Sequence, residues 1–304
     1  MIMLKQMTIL FIIMMVGLCA GKTNIITDEA SKKLSSLVVN IANPCFVVCS
    51  VLGDTHIAGE KLVLMALAAV GIYICLIVLA VFVPLLLKVP VNVRGTYKAM
   101  LVFNNIGFMG FPIVSGLYGS EMLLYVAIFM LPYNILIYTY GIYVMKKDEG
   151  ESGKMNVSGL LNPGVIAVLA AFVIYIFQVH VPEVIAESIT MISNVTAPLS
   201  MMVIGASFAG ADFKKIFADG KLLVFSLLKL LVIPAAGYFL VKLWIHDPVM
   251  QGIILVMLGT PVGSMVAMIA SEYGGDVELA TKGVTLTSLL SVGTLSLLFV
   301  VLHI

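Results

Sequence analysis

The sequence predicts an all-α membrane protein: ten transmembrane helices forming two inverted five-helix repeats, with broken helices, spans four and nine, that cross. Three observations lead there. Of the 304 residues 61% are hydrophobic and 11% charged, with a mean hydropathy of +1.14, too little charge to cover a water-facing surface. Apolar runs close to the ~20 residues that a bilayer requires recur along the whole chain. Proline- and glycine-bearing motifs recur half a chain apart.

The runs cover approximately residues 4–20, 32–52, 62–87, 98–117, 122–145, 161–179, 185–208, 221–244, 249–270 and 279–302. The first is read as a retained span and not a cleaved leader, because the repeat and the charge pattern need it. Leu18, which is not a small residue, precedes Cys19 and argues against a lipoprotein cysteine. The second run carries NIANP (Asn40 to Pro44) and the third is uninterrupted. The fourth is broken at its centre by FNNIGFMGFPIV, residues 103–114. The fifth ends at the polar stretch KKDEGESGKMNVSG (146–159), so the expected organisation is a first repeat at 1–145, a cytoplasmic linker at 146–160 and a second repeat at 161–304. In that second half the seventh run carries NVTAP (Asn194 to Pro198), the eighth holds Lys229, and the ninth contains GTP (Gly259 to Pro261).

Lysine and arginine in the connections set the orientation. Thirteen flank the odd-numbered spans on one side and three lie on the other, with Lys229 the remaining one of 17. Both termini are therefore expected outside. Ten spans with both ends on one side make two halves of five, and five is odd, so equivalent halves are inverted. Equivalence is suggested by NIANP against NVTAP, by GFP (Gly110 to Pro112) against GTP, and by Tyr118-Gly119 against Tyr273-Gly274. Inverted repeats with interrupted helices at matching positions point to a secondary transporter's binding site.

Pro112 cannot donate to the carbonyl of Phe108, nor Pro261 to that of Met257. Gly107, Gly110 and Gly259 allow departure from helical geometry nearby. Backbone groups freed inside a membrane must be buried in protein or face a wet cavity. Freed N–H ends suit an anion, and freed carbonyl ends suit a cation or a donor. Asn104 and Asn105 add side-chain amides at the same place. Ordinary proline kinks are the alternative, made less attractive by two breaks at matching positions.

The segments NNIGFMGFP followed by YG, NIANPCFVVCSVL, TAPLSMMVIGAS and GTPVGSMVAMIASEYGGD resemble the auxin efflux carrier family over essentially the whole chain. The resemblance implies a fold like that of the bile acid–sodium symporters, with spans four and nine crossing at their breaks. It implies a small organic anion, a carboxylate, dicarboxylate or auxin-like weak acid, held near the crossing and moved across the cytoplasmic membrane by alternating access. The candidate substrate-binding residues are Asn43, Asn104, Asn105, Gly107, Gly110, Pro112, Gly259, Pro261 and Lys229. An anion channel and a sodium-coupled organic-anion symporter are the alternatives. Expected partners are the anion, H+ or Na+ as coupling ion, and the lipid bilayer, with a homodimer admitted; no cofactor, metal or nucleic acid is expected. The short linker departs from plant carriers with long central loops, which speaks against auxin itself.

All 16 acidic residues fall in connections or at span ends, leaving no carboxylate at a span centre for proton relay or sodium ligation. Lys229 is the one cation within a span. It reads equally as an anion counter-charge, as a lysine whose protonation couples transport to pH, or as a residue reaching freed carbonyls near Pro234 or the headgroups. His56, His180, His246 and His303 have no metal-ligand spacing, and the four cysteines read as small buried hydrophobes. HExxH is absent and Ser264 lacks the flanking glycine of a membrane serine protease, so an enzyme is not expected. Single cysteines placed in the 146–159 connection and at the C-terminus of a cysteine-free chain should label from opposite faces of the membrane. Labelling from one face would contradict the inverted arrangement.

Overall fold

A computed structural model of the chain describes residues 2–52, 59–148 and 163–304. Helix makes up 85% of the described residues, which contain no strand, only an isolated antiparallel bridge between Asn104 and Val262. The helices are α1 (Ile2–Lys22), α2 (28–49), α3 (Gly59–Leu86), α4 (Arg94–Val102), α5 (Ile106–Tyr118), α6 (123–148) and α7 (Pro163–Phe177). They continue with α8 (Glu183–Ser207), α9 (Phe213–Ala218), α10 (Gly220–Lys242), α11 (Pro248–Gly259), α12 (Ser264–Tyr273) and α13 (Val277–Val301). Of these, α1, α3, α6, α8, α10 and α13 are long and apolar enough to cross a membrane, and α5, α7 and α11 are shorter apolar helices. Large side chains such as Leu67, Ile74, Phe82 and Leu86 on α3 are exposed, which in a chain this apolar is a lipid-facing surface. The protein is an integral multi-pass membrane protein. Most of the connection expected at 146–160, and His56, lie outside the described residues; α6 runs to Asp148.

Some helix-interior prolines widen the helix, whereas Pro84, Pro132 and Pro198 sit in α-helix without a π turn. Three π turns, Val38–Ala42, Ile106–Gly110 and Leu228–Val232, each end two residues before a proline: Pro44, Pro112 and Pro234. The middle residue of each turn, Asn40, Phe108 or Leu230, owns the carbonyl that the proline can neither bond nor approach. Widening the helix by one residue moves that carbonyl away from the ring without ending the helix. A fourth π turn, Ile137–Gly141, has no such proline. It brings Gly141 so close to Phe103 and Ile269 that an added Cβ would lie 3.1 Å from each.

Acidic residues are used as caps. The side chains of Asp212, Asp219, Asp247 and Asp276 accept from first-turn N–H groups of α9, α10, α11 and α13. The hydrogen bond from the Lys215 N–H leads the causes that hold the Asp212 carboxyl below its usual range. These caps account for several of the carboxylates found at run boundaries.

The chain divides into two compact units. The first takes the described residues of 1–65, 106–131 and 161–210. Its centre is the crossing of α1 and α8, where backbones touch: a Cβ on Gly17 would meet the backbone of Met202, and one on Gly205 would meet the carbonyl of Met14. Gly17 and Gly21 form the small-xxx-small spacing that lets membrane helices approach closely. On α2, Phe46 packs on Phe111 at a centroid distance of 5.7 Å, and Cys49 Sγ lies 3.5 Å from Thr190 Oγ1 of α8. The second unit takes 66–105, 132–160 and 211–304. Here α4 and α11 are buried along nearly their whole length among α6, α10 and α13.

Because backbone stands on the far side of Gly205, no side-chain shift relieves a methyl there. Gly205→Ala should destabilise the purified protein by about 1–3 kcal/mol. Gly293→Ala, with nothing within 4 Å, should leave it unchanged or stabilise it by up to about 1 kcal/mol. Thermal unfolding in detergent checks both.

Candidate functional site

The second unit contains two interrupted stretches that face each other. Between α4 and α5 the chain is extended at Phe103 (φ −99°, ψ 102°), and between α11 and α12 it is extended at Thr260 and Gly263. They pair antiparallel. Asn105 N donates to Pro261 O at 2.8 Å and Gly263 N to Phe103 O at 2.9 Å. Val262 N, between them, donates to Thr287 Oγ1 on α13 at 3.0 Å, and that hydroxyl donates to Gly283 O at 2.7 Å.

Side chains take the carbonyls at the helix ends. Asn104 Nδ2 donates to Met257 O at 2.7 Å and to Leu258 O at 3.4 Å, and the Thr260 hydroxyl also donates to Met257 O, at 2.9 Å. Lys229, carried on the π turn of α10 and 2% exposed, donates to Leu101 O at 3.0 Å and to Asn104 Oδ1. The C-terminal ends of α4 and α11, each carrying roughly half a negative charge, thus share one ammonium and one amide. Donors are also left over. Asn105 Nδ2 is buried without a partner; in the first turn of α12 Val266 N donates to Gly263 O at 2.9 Å, and no side chain caps the turn.

Four predicted residues, Asn104, Asn105, Pro261 and Lys229, meet here within the second unit. Gly259 ends α11 beside them and packs on Leu295. Asn43 and Gly107 meet in the first unit: a Cβ on Gly107 would lie 3.0 Å from Asn43 Nδ2, and Asn43 Oδ1 is buried without a partner. Gly110 closes a π turn. Pro112, expected to break its span, does not do so: helix is continuous through it, and its carbonyl accepts from Gln6 Nε2 at 3.4 Å. The interruption lies upstream, at residues 103–105, because the Asn104 amide and the pairing with Pro261 supply the bonds that the helix gives up. Lys229 reaches a carbonyl as one reading foresaw, but that of Leu101 and not one near Pro234.

Sequence reasoning passed over Thr287, Tyr133, Asn134 and Ser288. Tyr133 lies against this crossing: its ring packs edge-on to Phe103 at 5.6 Å, and its Oη lies 3.2 Å from where a Gly263 Cβ would be. Asn134 Nδ2 and Ser288 Oγ are buried without partners. The signal was present in VTLTSLLSVGT, a run of hydroxyl residues inside the last apolar helix.

Interrupted helices inside an apolar bundle are a device that secondary transporters use. The chain matches the membrane transport protein family over residues 2–299. It is similar to an uncharacterized transporter of Methanocaldococcus jannaschii, 24% identical over 307 residues and 98% of each chain. It is also similar to an uncharacterized transporter of Escherichia coli K12, 22% identical over 240 residues, 75% of this chain and 74% of that one. The protein belongs to this family, the auxin efflux carriers that its motifs resemble.

Thr287→Val removes the acceptor of Val262 N–H and leaves a buried donor unpaired. It should cost about 1–3 kcal/mol of stability, whereas Thr287→Ser should cost less because the oxygen stays. Melting temperatures of the two variants check the difference.

Proposed function

We propose that the protein is a secondary active transporter of a small organic anion, working by alternating access across the cytoplasmic membrane with both termini outside. The observation that carries this reading is the polarity of what the crossing leaves free. The carbonyls of Leu101, Met257 and Leu258, near the ends of α4 and α11, already have donors in Lys229, Asn104 and Thr260. The unpartnered Asn105 Nδ2 and the uncapped first turn of α12 remain, and such groups attract a carboxylate. Broken half-helices that aim their N-terminal ends at anionic substrate groups are a recurring device of secondary transporters.

The reading includes ten spans in two inverted repeats. Six would be the long apolar helices. The other four would be α2, α7, the pair α4–α5 and the pair α11–α12. Tyr118-Gly119 and Tyr273-Gly274 support the equivalence. They lie at the ends of α5 and α12, and their glycines are the only ones with positive φ among the described residues, 94° and 82°, though their ψ values differ, 165° and 26°. An aqueous organic-anion panel, mono- and dicarboxylates taken up into proteoliposomes, tests the substrate class. Asn105→Ala should weaken the transported anion's binding at least tenfold, about 1.4 kcal/mol, without lowering the melting temperature, since its Nδ2 holds no other group. Absence of carboxylate uptake, or an Asn105→Ala protein with wild-type affinity, would count against the proposal.

A further inference from the structure

We infer that the Lys229 ammonium is a tethered substitute for a coupling cation, so that the crossing binds no mobile sodium ion. The inference rests on the transporter reading above and specifies its coupling. In transporters with broken helices, the carbonyls at half-helix C-termini and of unwound backbone are where Na+ is held. Here one such carbonyl is that of Leu101 near the end of α4, with the side-chain amide oxygen of Asn104 beside it. Lys229 Nζ donates to both.

Charge balance favours the same assignment. The C-terminal ends of α4 and α11 each carry roughly half a negative charge, which favours an ammonium placed at the end of α4. Lys229 takes no part in ion pairs such as Lys33–Glu29, Lys215–Asp212 and Lys282–Glu278. Its partners are oxygen dipoles, as a bound monovalent ion's would be. Asn104 carries the effect across: with Oδ1 turned to the ammonium, its Nδ2 is committed to Met257 O and Leu258 O at the end of α11. One fixed cation therefore serves both ends. The position is held by the chain, since Lys229 is buried on the π turn that Pro234 imposes on α10.

The test uses the purified full-length protein in detergent, titrated with NaCl against choline chloride at constant ionic strength, with melting temperature as the readout. Wild type should melt at the same temperature in both salts. Lys229→Ala empties the place and leaves its oxygens, so NaCl should raise its melting temperature saturably, with sodium affinity at least tenfold above wild type. Lys229→Met refills the place with an apolar chain and should show no sodium response. Saturable stabilisation of wild type by sodium would overturn the inference, as would a Lys229→Ala protein as indifferent to sodium as wild type. Should Lys229→Ala be unfolded in both salts, the wild-type titration decides: a saturable sodium effect overturns the inference and indifference upholds it. No substrate enters these measurements, so their failure is separate from a failure of the uptake panel.

Discussion

Every backbone polar group inside a membrane protein's apolar interior must find a partner, and the crossing of residues 103–105 with 260–263 is where this chain meets that demand without helix. Two stretches that would each be untenable alone satisfy one another through Asn105 N–H to Pro261 and Gly263 N–H to Phe103. The neighbouring elements are arranged around that exchange. α13 offers Thr287 to the one N–H between the two bonds. α10 offers Lys229, and α6 offers Tyr133 at the closest approach. Gly263 has no side chain because Asn104 O stands 3.0 Å from where its Cβ would be.

The exchange is asymmetric in sign. Asn104 and Lys229 donate to the carbonyls of Leu101, Met257 and Leu258, while Asn105 Nδ2 keeps no partner. A crossing built the other way, with donors capped and carbonyls free, would favour a cation. The sign of the leftover groups is what supports the proposed anion, and no group of three or more His, Cys, Asp or Glu that could hold a metal ion occurs among the described residues.

Composition, apolar runs and the asparagine pair made the membrane class and the crossing segments legible. Proline was less informative than it looked. At Pro261 the helix ends, because Thr260 and Gly263 can extend and the pairing partner is at hand. At Pro44, Pro112 and Pro234 the same missing N–H is absorbed by a π turn and the helix continues. Sequence spacing alone does not separate these outcomes, since both remove one i−4 bond and only tertiary partners decide which is cheaper. Lys229 was recognisable as an unusual charge, yet its partner, Leu101 O, lies 128 residues away and could not be read from its own helix. Thr287 was hidden for the opposite reason. Hydroxyl residues inside apolar helices usually bond back to their own backbone, as Thr287 does to Gly283, and its second role as acceptor depends on a neighbour.

The central claim is that donors, and not Lys229, meet the transported anion. A structure determined with that anion bound tests it most directly. The account predicts carboxylate oxygens within hydrogen-bond distance of Asn105 Nδ2 and the first turn of α12, with Lys229 Nζ still on Leu101 O. An anion seated on Lys229 Nζ in place of Leu101 O, or bound away from the crossing, would contradict it.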